Sequence, residues 1–296
     1  VFGYDARANL VAQATDTPDS PASLGDILTR TKGLSAEQVE RALDYQREHG
    51  VRFGEAAVAL GFAKPDDVIW ALSQQFHYPY LPTEHRHFNE ELVVANDPFC
   101  EEVEAFRDLR SQLVLGVLAE SDTRRALAIT SADPGDGKTF VAANLAVAFS
   151  QLPGRTLLID ANLRQPRLHK VFGVDSGTGL TALLAGRAEA NVIKPAAHLP
   201  NLYLMPAGVI APNPTELLQR AAFSLLLREL LSKFDHVLVD TPPHAAGSDA
   251  RIIAVHCGAA LLVGRRNATR MTGMQSMVKL LNKSQVKVAG ILVNEF

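Results

Sequence analysis

The segment Ser131-Ala132-Asp133-Pro134-Gly135-Asp136-Gly137-Lys138-Thr139 constrains this chain more than any other stretch. It follows a short apolar run of strand character, Arg125-Ala126-Leu127-Ala128-Ile129-Thr130, and opens an alanine-rich helical segment that starts at Phe140. A glycine-containing loop between a strand and a helix can curl so that its N–H groups, with those of the helix N-terminus, point at phosphate oxygens. Lys138 is then placed to reach the β- and γ-phosphates, and the Thr139 hydroxyl to bind Mg²⁺. Asp133, Gly135, Asp136, Gly137 and Phe140 complete the expected nucleotide-contacting set. Ala132 stands where such loops usually carry their first glycine. A plain strand-to-helix turn would account for the glycines and proline but for neither Lys138 nor Thr139, so ATP with Mg²⁺ is the expected ligand.

What surrounds the loop sets the fold class. Strands are expected at residues 127–130, 156–160, 202–205, 236–240, 259–263 and 286–293, and helices between them, notably at 139–151, 215–232 and 269–282. Apolar strands alternating with helices imply an α/β fold with a mostly parallel sheet covered by helices on both faces. Ligands of such sheets sit beyond the carboxyl ends of the strands, where Ser131, Asp160 and Asp240 all fall. An aspartate ending an apolar strand beside a phosphate loop can hold Mg²⁺ directly or through water; alone, each would more simply be a loop carboxylate.

At 296 residues the chain has room for two modest domains. A formal net charge of −3 gives no argument for nucleic acid or an anionic membrane surface. Cys100 and Cys257 have neither metal nor disulfide spacing, which suits a reducing, cytoplasmic setting. The chain begins with Val1, shows no signal peptide and has no apolar run of membrane-spanning length, so any membrane role is expected to run through a partner.

Residues 1–22 are polar and aperiodic and read as a flexible tail; residues 83–100, rich in Pro, His, Asn and Glu, read as a linker. Between them, residues 23–82 read as a small all-helical regulatory domain built from a weak repeat. Gly25 and Gly54, Leu43 and Leu72, and Gln46 and Gln75 are each 29 residues apart. Each half is expected to form a short helix, a turn at Gly33 or Gly61, and a longer helix. Ser35 with Gln38, and the Lys64-Pro65-Asp66-Asp67 run, mark helix starts.

The phosphate loop, the segment Asp160-Ala161-Asn162-Leu163-Arg164 and Asp240-Thr241-Pro242-Pro243 together resemble the Walker A, A′ and B motifs of bacterial tyrosine kinases, cytoplasmic autokinases that regulate polymerisation and export of exopolysaccharide. Residues 179–186 and Asn213-Pro214-Thr215-Glu216-Leu217-Leu218 extend the resemblance, so 101–296 reads as the kinase domain. Glu104-Ala105-Phe106-Arg107-Asp108-Leu109-Arg110 is similar to the family's Glu-x-x-Arg-x-x-Arg helix, which mediates ring-shaped self-association. On spacing alone, Glu104, Arg107 and Arg110 read more simply as a solvated helix face with local pairing, and the resemblance reverses that.

The resemblance implies that Lys138 holds the phosphates and that Thr139, Asp160, Asn162 and Asp240 surround Mg²⁺. It also implies that Asp160 orients or deprotonates the acceptor tyrosine, and that Arg164 stabilises phosphate charge or pairs with a carboxylate. Implied partners are a second copy of the chain, a membrane chain-length regulator that recruits it to the inner face of the membrane, and a phosphotyrosine phosphatase. The sequence departs from the family at Asn162, where a second aspartate is usual. It also has no tyrosine cluster after its last strand, which leaves Tyr4, Tyr78 and Tyr80 as the most available acceptors and Tyr45 and Tyr203 as packed residues. Asp133 occupies the position of the signature lysine of ParA/MinD-type switch ATPases, the competing class. The helical domain resembles the N-terminal domains of type II secretion and pilus-assembly ATPases. Through Arg52, Gly54, Gly61 and Gln75 that likeness implies either cyclic di-GMP binding or a docking role.

Overall fold

The computed structural model describes residues 23–75, 88–97, 100–119, 124–187 and 191–295. The chain divides into two compact units, Val1–Tyr78 and Pro79–Phe296.

In the first unit, α1 (Leu24–Lys32), α2 (Ala36–His49), α3 (Phe53–Ala59) and α4 (Pro65–Gln75) reproduce the expected short–long repeat. Ser23 with Asp26 and Ser35 with Gln38 form reciprocal capping boxes, each satisfying backbone donors that the first turn leaves unpaired. Gly33 and Gly61 adopt φ near +70°, the left-handed turn that lets each short helix stop. Helix α1 packs on α4 and α2 on α3, burying Ile27, Leu28, Leu34 and Ala71 among Leu24, Phe53, Val68 and Trp70. Gly54 lies where a Cβ would stand 2.4 Å from Val68 Cγ1, so the closeness of α3 to α4 explains that glycine.

In the second unit, residues 88–97 are not a linker. Leu92 and Val94 are buried, the short α5 (Val93–Asn96) lies against the helix that follows the phosphate loop, and Asn144 of that helix clamps the segment. Its Oδ1 accepts the Val94 N–H at 3.1 Å and its Nδ2 donates to Glu91 O at 2.7 Å. Its asparagines and acidic residues give the segment a loop-like composition, yet Leu92 and Val94 fill the core.

After α6 (Glu101–Leu115) the order is β1 (Ala126–Ser131), α7 (Lys138–Ser150), β2 (Thr156–Asp160), α8 (Leu168–Val171), α9 (Leu180–Leu184), β3 (Lys194–Pro195), β4 (Leu202–Met205), α10 (Pro214–Leu218), α11 (Ala221–Lys233), β5 (His236–Asp240), α12 (Asp249–Cys257), β6 (Gly258–Arg265), α13 (Met271–Lys283) and β7 (Lys287–Asn294). The strands form one sheet in the order β3-β4-β2-β5-β1-β6-β7, parallel except for β3. Every residue of β1 and β2 is buried, as strands covered on both faces require. One face packs Leu157, Ile159, Phe223, Ile253 and Leu281; the other packs Val103, Leu145, Phe149, Leu158 and Leu261.

The single helix expected over 215–232 is two, because the backbone turns extended at Arg220, whose Nη1 donates to Leu184 O at 3.1 Å and so caps α9. Gly179, just before α9, has an ordinary extended backbone but no room. A Cβ there would stand 2.2 Å from Pro206 O and 2.5 Å from Gly208 N. Backbone atoms cannot yield as a side-chain tip can, so Gly179→Ala is expected to cost about 3 kcal/mol or more. A urea midpoint within error of wild type at unchanged m-value would refute that packing account.

Candidate active site

The carboxyl end of β1 runs into the phosphate loop, and the loop into α7. Gly135 (φ +82°) and Gly137 (φ +91°) take left-handed conformations, and Gly137 caps α7, so the turn brings backbone N–H groups and a helix N-terminus to one place. Lys138 is only 7% exposed; its Nζ donates to Ser131 Oγ at 2.9 Å, and Ser131 Oγ donates to Asp133 O at 2.7 Å. Burial lowers the Lys138 pKa, and Asp240, Asp136 and Asp133 pull it back toward the charged form. The ammonium is thus poorly solvated and held beside the loop, the condition in which a phosphate binds it strongly.

Thr139 Oγ1 donates to Asp240 Oδ2 at 2.7 Å. Asp240 is fully buried, and its Oδ1 has no partner among the described residues. Burial drives its pKa up, against the Thr139 hydrogen bond and the Lys138 charge. A hydroxyl and an unpartnered carboxylate oxygen beside a phosphate loop are hard oxygen donors of the kind Mg²⁺ takes, so Thr139 and Asp240 fit the expected metal.

The other expected site residues are placed differently. Asp160 ends β2 directly opposite Asp240, and it too is buried. It accepts the N–H groups of Asn162 (3.2 Å), Arg167 (3.0 Å) and Leu168 (3.0 Å) and holds the loop into α8. Burial, then the Asp240 charge, raises its pKa. The geometry therefore gives Asp160 a loop-holding role. The Asn162 Oδ1 accepts the Gln165 N–H at 3.1 Å, so it too serves the loop.

Arg164 is paired with a buried carboxylate. Its Nε donates to Asp249 Oδ2 at 2.7 Å and its Nη2 to Thr215 Oγ1 at 3.1 Å. The Asp136 carboxylate faces its own loop and a neighbour, accepting the Asp133 N–H at 3.1 Å and the Thr269 hydroxyl at 2.6 Å. Asp133 contributes backbone contacts, and Phe140 stacks edge-on with Phe106.

A cavity of about 1000 Å³ opens over the loop. Gly135, Gly137, Lys138 and Thr139 form its floor, with Asn162, Arg164, Arg167 and Arg265 around it and Phe106, Leu109 and Leu292 supplying an apolar wall. In α6, Arg107 pairs with Glu104 one turn away, and Arg110 Nη1 donates to Ala148 O at 2.6 Å near the end of α7. The triad is therefore not one free face: Arg110 is docked within its own chain.

In the helical unit, Arg52 caps α3 and is exposed, while Gly54 and Gly61 serve packing and turning. The side chain of Gln75 lies outside the described residues, as do Tyr4, Tyr78 and Tyr80. Tyr203 packs edge-on against Phe234 beside the core, whereas Tyr45 is part-exposed and stacks on the exposed His49 one turn along its own helix. Among the described residues no group of three or more His, Cys, Asp and Glu is arranged to hold a metal, and no helix is long and apolar enough to cross a membrane.

Sequence reasoning missed Asp249, Thr269 and Asn294. Thr269 braces the phosphate loop through Asp136, and Asn294 Nδ2 reaches Asp136 O at 3.3 Å. All three come from elements more than a hundred residues beyond the loop or after Walker B, and no local pattern marks them. Thr215 lies within the Asn213–Leu218 motif, but nothing local marks its bonds to Asp249 and Arg164.

Residues 122–295 match the ParA family profile, described as NUBPL iron-transfer P-loop NTPase. The tyrosine-protein kinase Wzc of Salmonella typhimurium is 35% identical over 210 residues, 71% of this chain and 29% of that protein. The chain thus spans under a third of the length of the curated relatives it matches. The kinase domain of the Escherichia coli tyrosine kinase ETK is 34% identical with a TM-score of 0.66, covering 71% of this chain and 82% of that structure. The septum site-determining protein MinD of Pyrococcus horikoshii, complexed with Mg-ADP, is 27% identical with a TM-score of 0.51, covering 57% and 70%.

Proposed function

We propose that this chain, which belongs to the ParA-type P-loop NTPases and within them to the bacterial tyrosine-protein kinase domains, transfers the γ-phosphoryl group of ATP to a tyrosine hydroxyl. The observation that carries the reading is the arrangement of Lys138 and Thr139 on the floor of one cavity with the buried Asp240 bonded to Thr139 beneath them, in a domain more similar to a tyrosine kinase than to MinD.

In the transfer, a bond forms between the phenolic oxygen and the γ-phosphorus as the bond to the β–γ bridging oxygen breaks. ADP leaves with that electron pair, and the phenolic proton is released to solvent. The protein's share is positioning and charge neutralisation. The loop N–H groups and Lys138 are placed to hold the phosphate oxygens where charge accumulates, and Thr139 and Asp240 would hold the metal. Bound Mg²⁺ would neutralise β- and γ-phosphate charge. Asp160 shapes the loop that carries Arg164 into the cavity wall.

By likeness to its relatives, the reading extends to autophosphorylation within a ring of copies, to control of exopolysaccharide polymerisation and export, and to work in the cytoplasm beside a membrane regulator and a phosphatase. The exposed Glu104 is available for a subunit contact. Light scattering that shows only the monomer mass with Mg-ATP present would count against the ring. Cyclic di-GMP has no support from Gly54 and Gly61, whose positions helix packing and a left-handed turn already explain.

The test is to incubate the purified protein with Mg-ATP and map phosphotyrosine by mass spectrometry. ATP hydrolysis without labelled tyrosine, even with the cytoplasmic segment of a membrane regulator added, would make the chain a nucleotide switch and not a kinase.

A further inference from the structure

Asp249 opens α12, nine residues beyond Asp240, and its side chain is 2% exposed. It is buried against Arg164, which is 37% exposed and lines the same cavity as Lys138 and Thr139. The pairing is side-on. Arg164 Nε donates to Asp249 Oδ2 at 2.7 Å and Nη2 to Asp249 Oδ1 at 3.3 Å, while Thr215 Oγ1 donates to Asp249 Oδ1 at 2.5 Å and accepts from Nη2 at 3.1 Å. Gly247 closes the arrangement from behind, where a Cβ would stand 3.5 Å from Nη2. One edge of the guanidinium is consumed by this cradle. The Nη1 group donates to no acceptor among the described residues.

We propose that Asp249 and Thr215 are positioning residues that hold Arg164 with its free Nη1 edge toward the outermost phosphate of bound nucleotide. A planar guanidinium gripped along one side presents its remaining donors in a fixed direction, which a mobile surface arginine does not. Fixing a cation before the reaction is where phosphoryl transfer gains most. Three elements distant in sequence converge on this one side chain: the β2–α8 loop, α10 and α12. The inference rests on the phosphoryl-transfer reading above.

The experiment compares wild type, Thr215→Val, Thr215→Ser and Asp249→Asn. Calorimetry with Mg²⁺ gives the affinities for ADP and for a non-hydrolysable ATP analogue, and kinetics give kcat and KM. Thr215→Val and Asp249→Asn are expected to bind ADP like wild type, to lose the analogue's advantage over ADP, and to lower kcat roughly tenfold or more. Thr215→Ser, which keeps the hydroxyl, should restore both.

A purely structural cradle would lower the melting temperature and leave kcat per folded molecule and the analogue-to-ADP ratio unchanged. That result in Thr215→Val overturns the proposal. If Asp249→Asn does not fold, the Thr215 pair decides alone. A wild type that binds the analogue but labels no tyrosine refutes the kinase reading, and the affinity ratio still judges the Arg164 contact.

Discussion

The Lys138→Met protein is expected to fold like wild type and to lose tyrosine labelling by a factor on the order of 10² to 10³ or more. Lys138 is nearly buried and makes one hydrogen bond, to Ser131 Oγ, while burial works against its charge. Its folded pKa is depressed, so carrying the ammonium costs stability in the empty site, and an unbranched methionine of similar length removes that cost without leaving a cavity. The gain is partly offset because Asp240, Asp136 and Asp133 lose a neighbouring cation. The melting temperature of the empty protein should therefore move little, while the increment given by Mg-ADP falls. Labelling at the wild-type rate would show that the transferred group does not rest on this side chain.

Most of the second unit's sheet was legible because its strands are buried on both faces and so appear as uninterrupted apolar runs. Residues 156–160, 202–205 and 236–240 coincide with β2, β4 and β5. What escaped was decided by tertiary contact. The two-residue β3 has no periodicity to detect and exists through antiparallel pairing with Leu204 and Tyr203. The break between α10 and α11 comes from Arg220 reaching Leu184 O. Residues 88–97 carry loop-type residues, but Asn144, more than forty residues away in sequence, supplies the hydrogen bonds that order them.

The site divides in the same way. Lys138, Thr139 and Asp240 were readable because a phosphate loop and a strand-ending aspartate are local patterns. The orientations of acidic residues were not. Asp160, Asp136 and Asn162 share the cavity's neighbourhood, yet each side chain is turned to backbone or neighbouring donors that the fold brings in. A carboxylate beside N–H groups satisfies them first, and only the structure shows which oxygen is left over. That oxygen is Asp240 Oδ1.

Asp240→Asn is accordingly expected to lower labelling by a factor on the order of 10² to 10³ and to remove a pH-dependent response to Mg²⁺. Burial raises the pKa of Asp240 in the folded chain above its unfolded value. Between those two values the folded state binds more proton than the unfolded one, so this group's contribution to stability falls as pH rises through the window. Mg²⁺ acts oppositely: it binds the ionised carboxylate, so the melting increment it gives should grow with pH over the same window. Asparagine cannot ionise, so in the variant both slopes assigned to Asp240 should vanish, and the metal-free protein should melt no lower than wild type at alkaline pH. Thermal melts with and without Mg²⁺, run across pH for both proteins, read all three quantities. A variant that keeps the wild-type Mg²⁺ increment and its pH slope would place the metal on other ligands, and the unpartnered oxygen of Asp240 would then need another explanation.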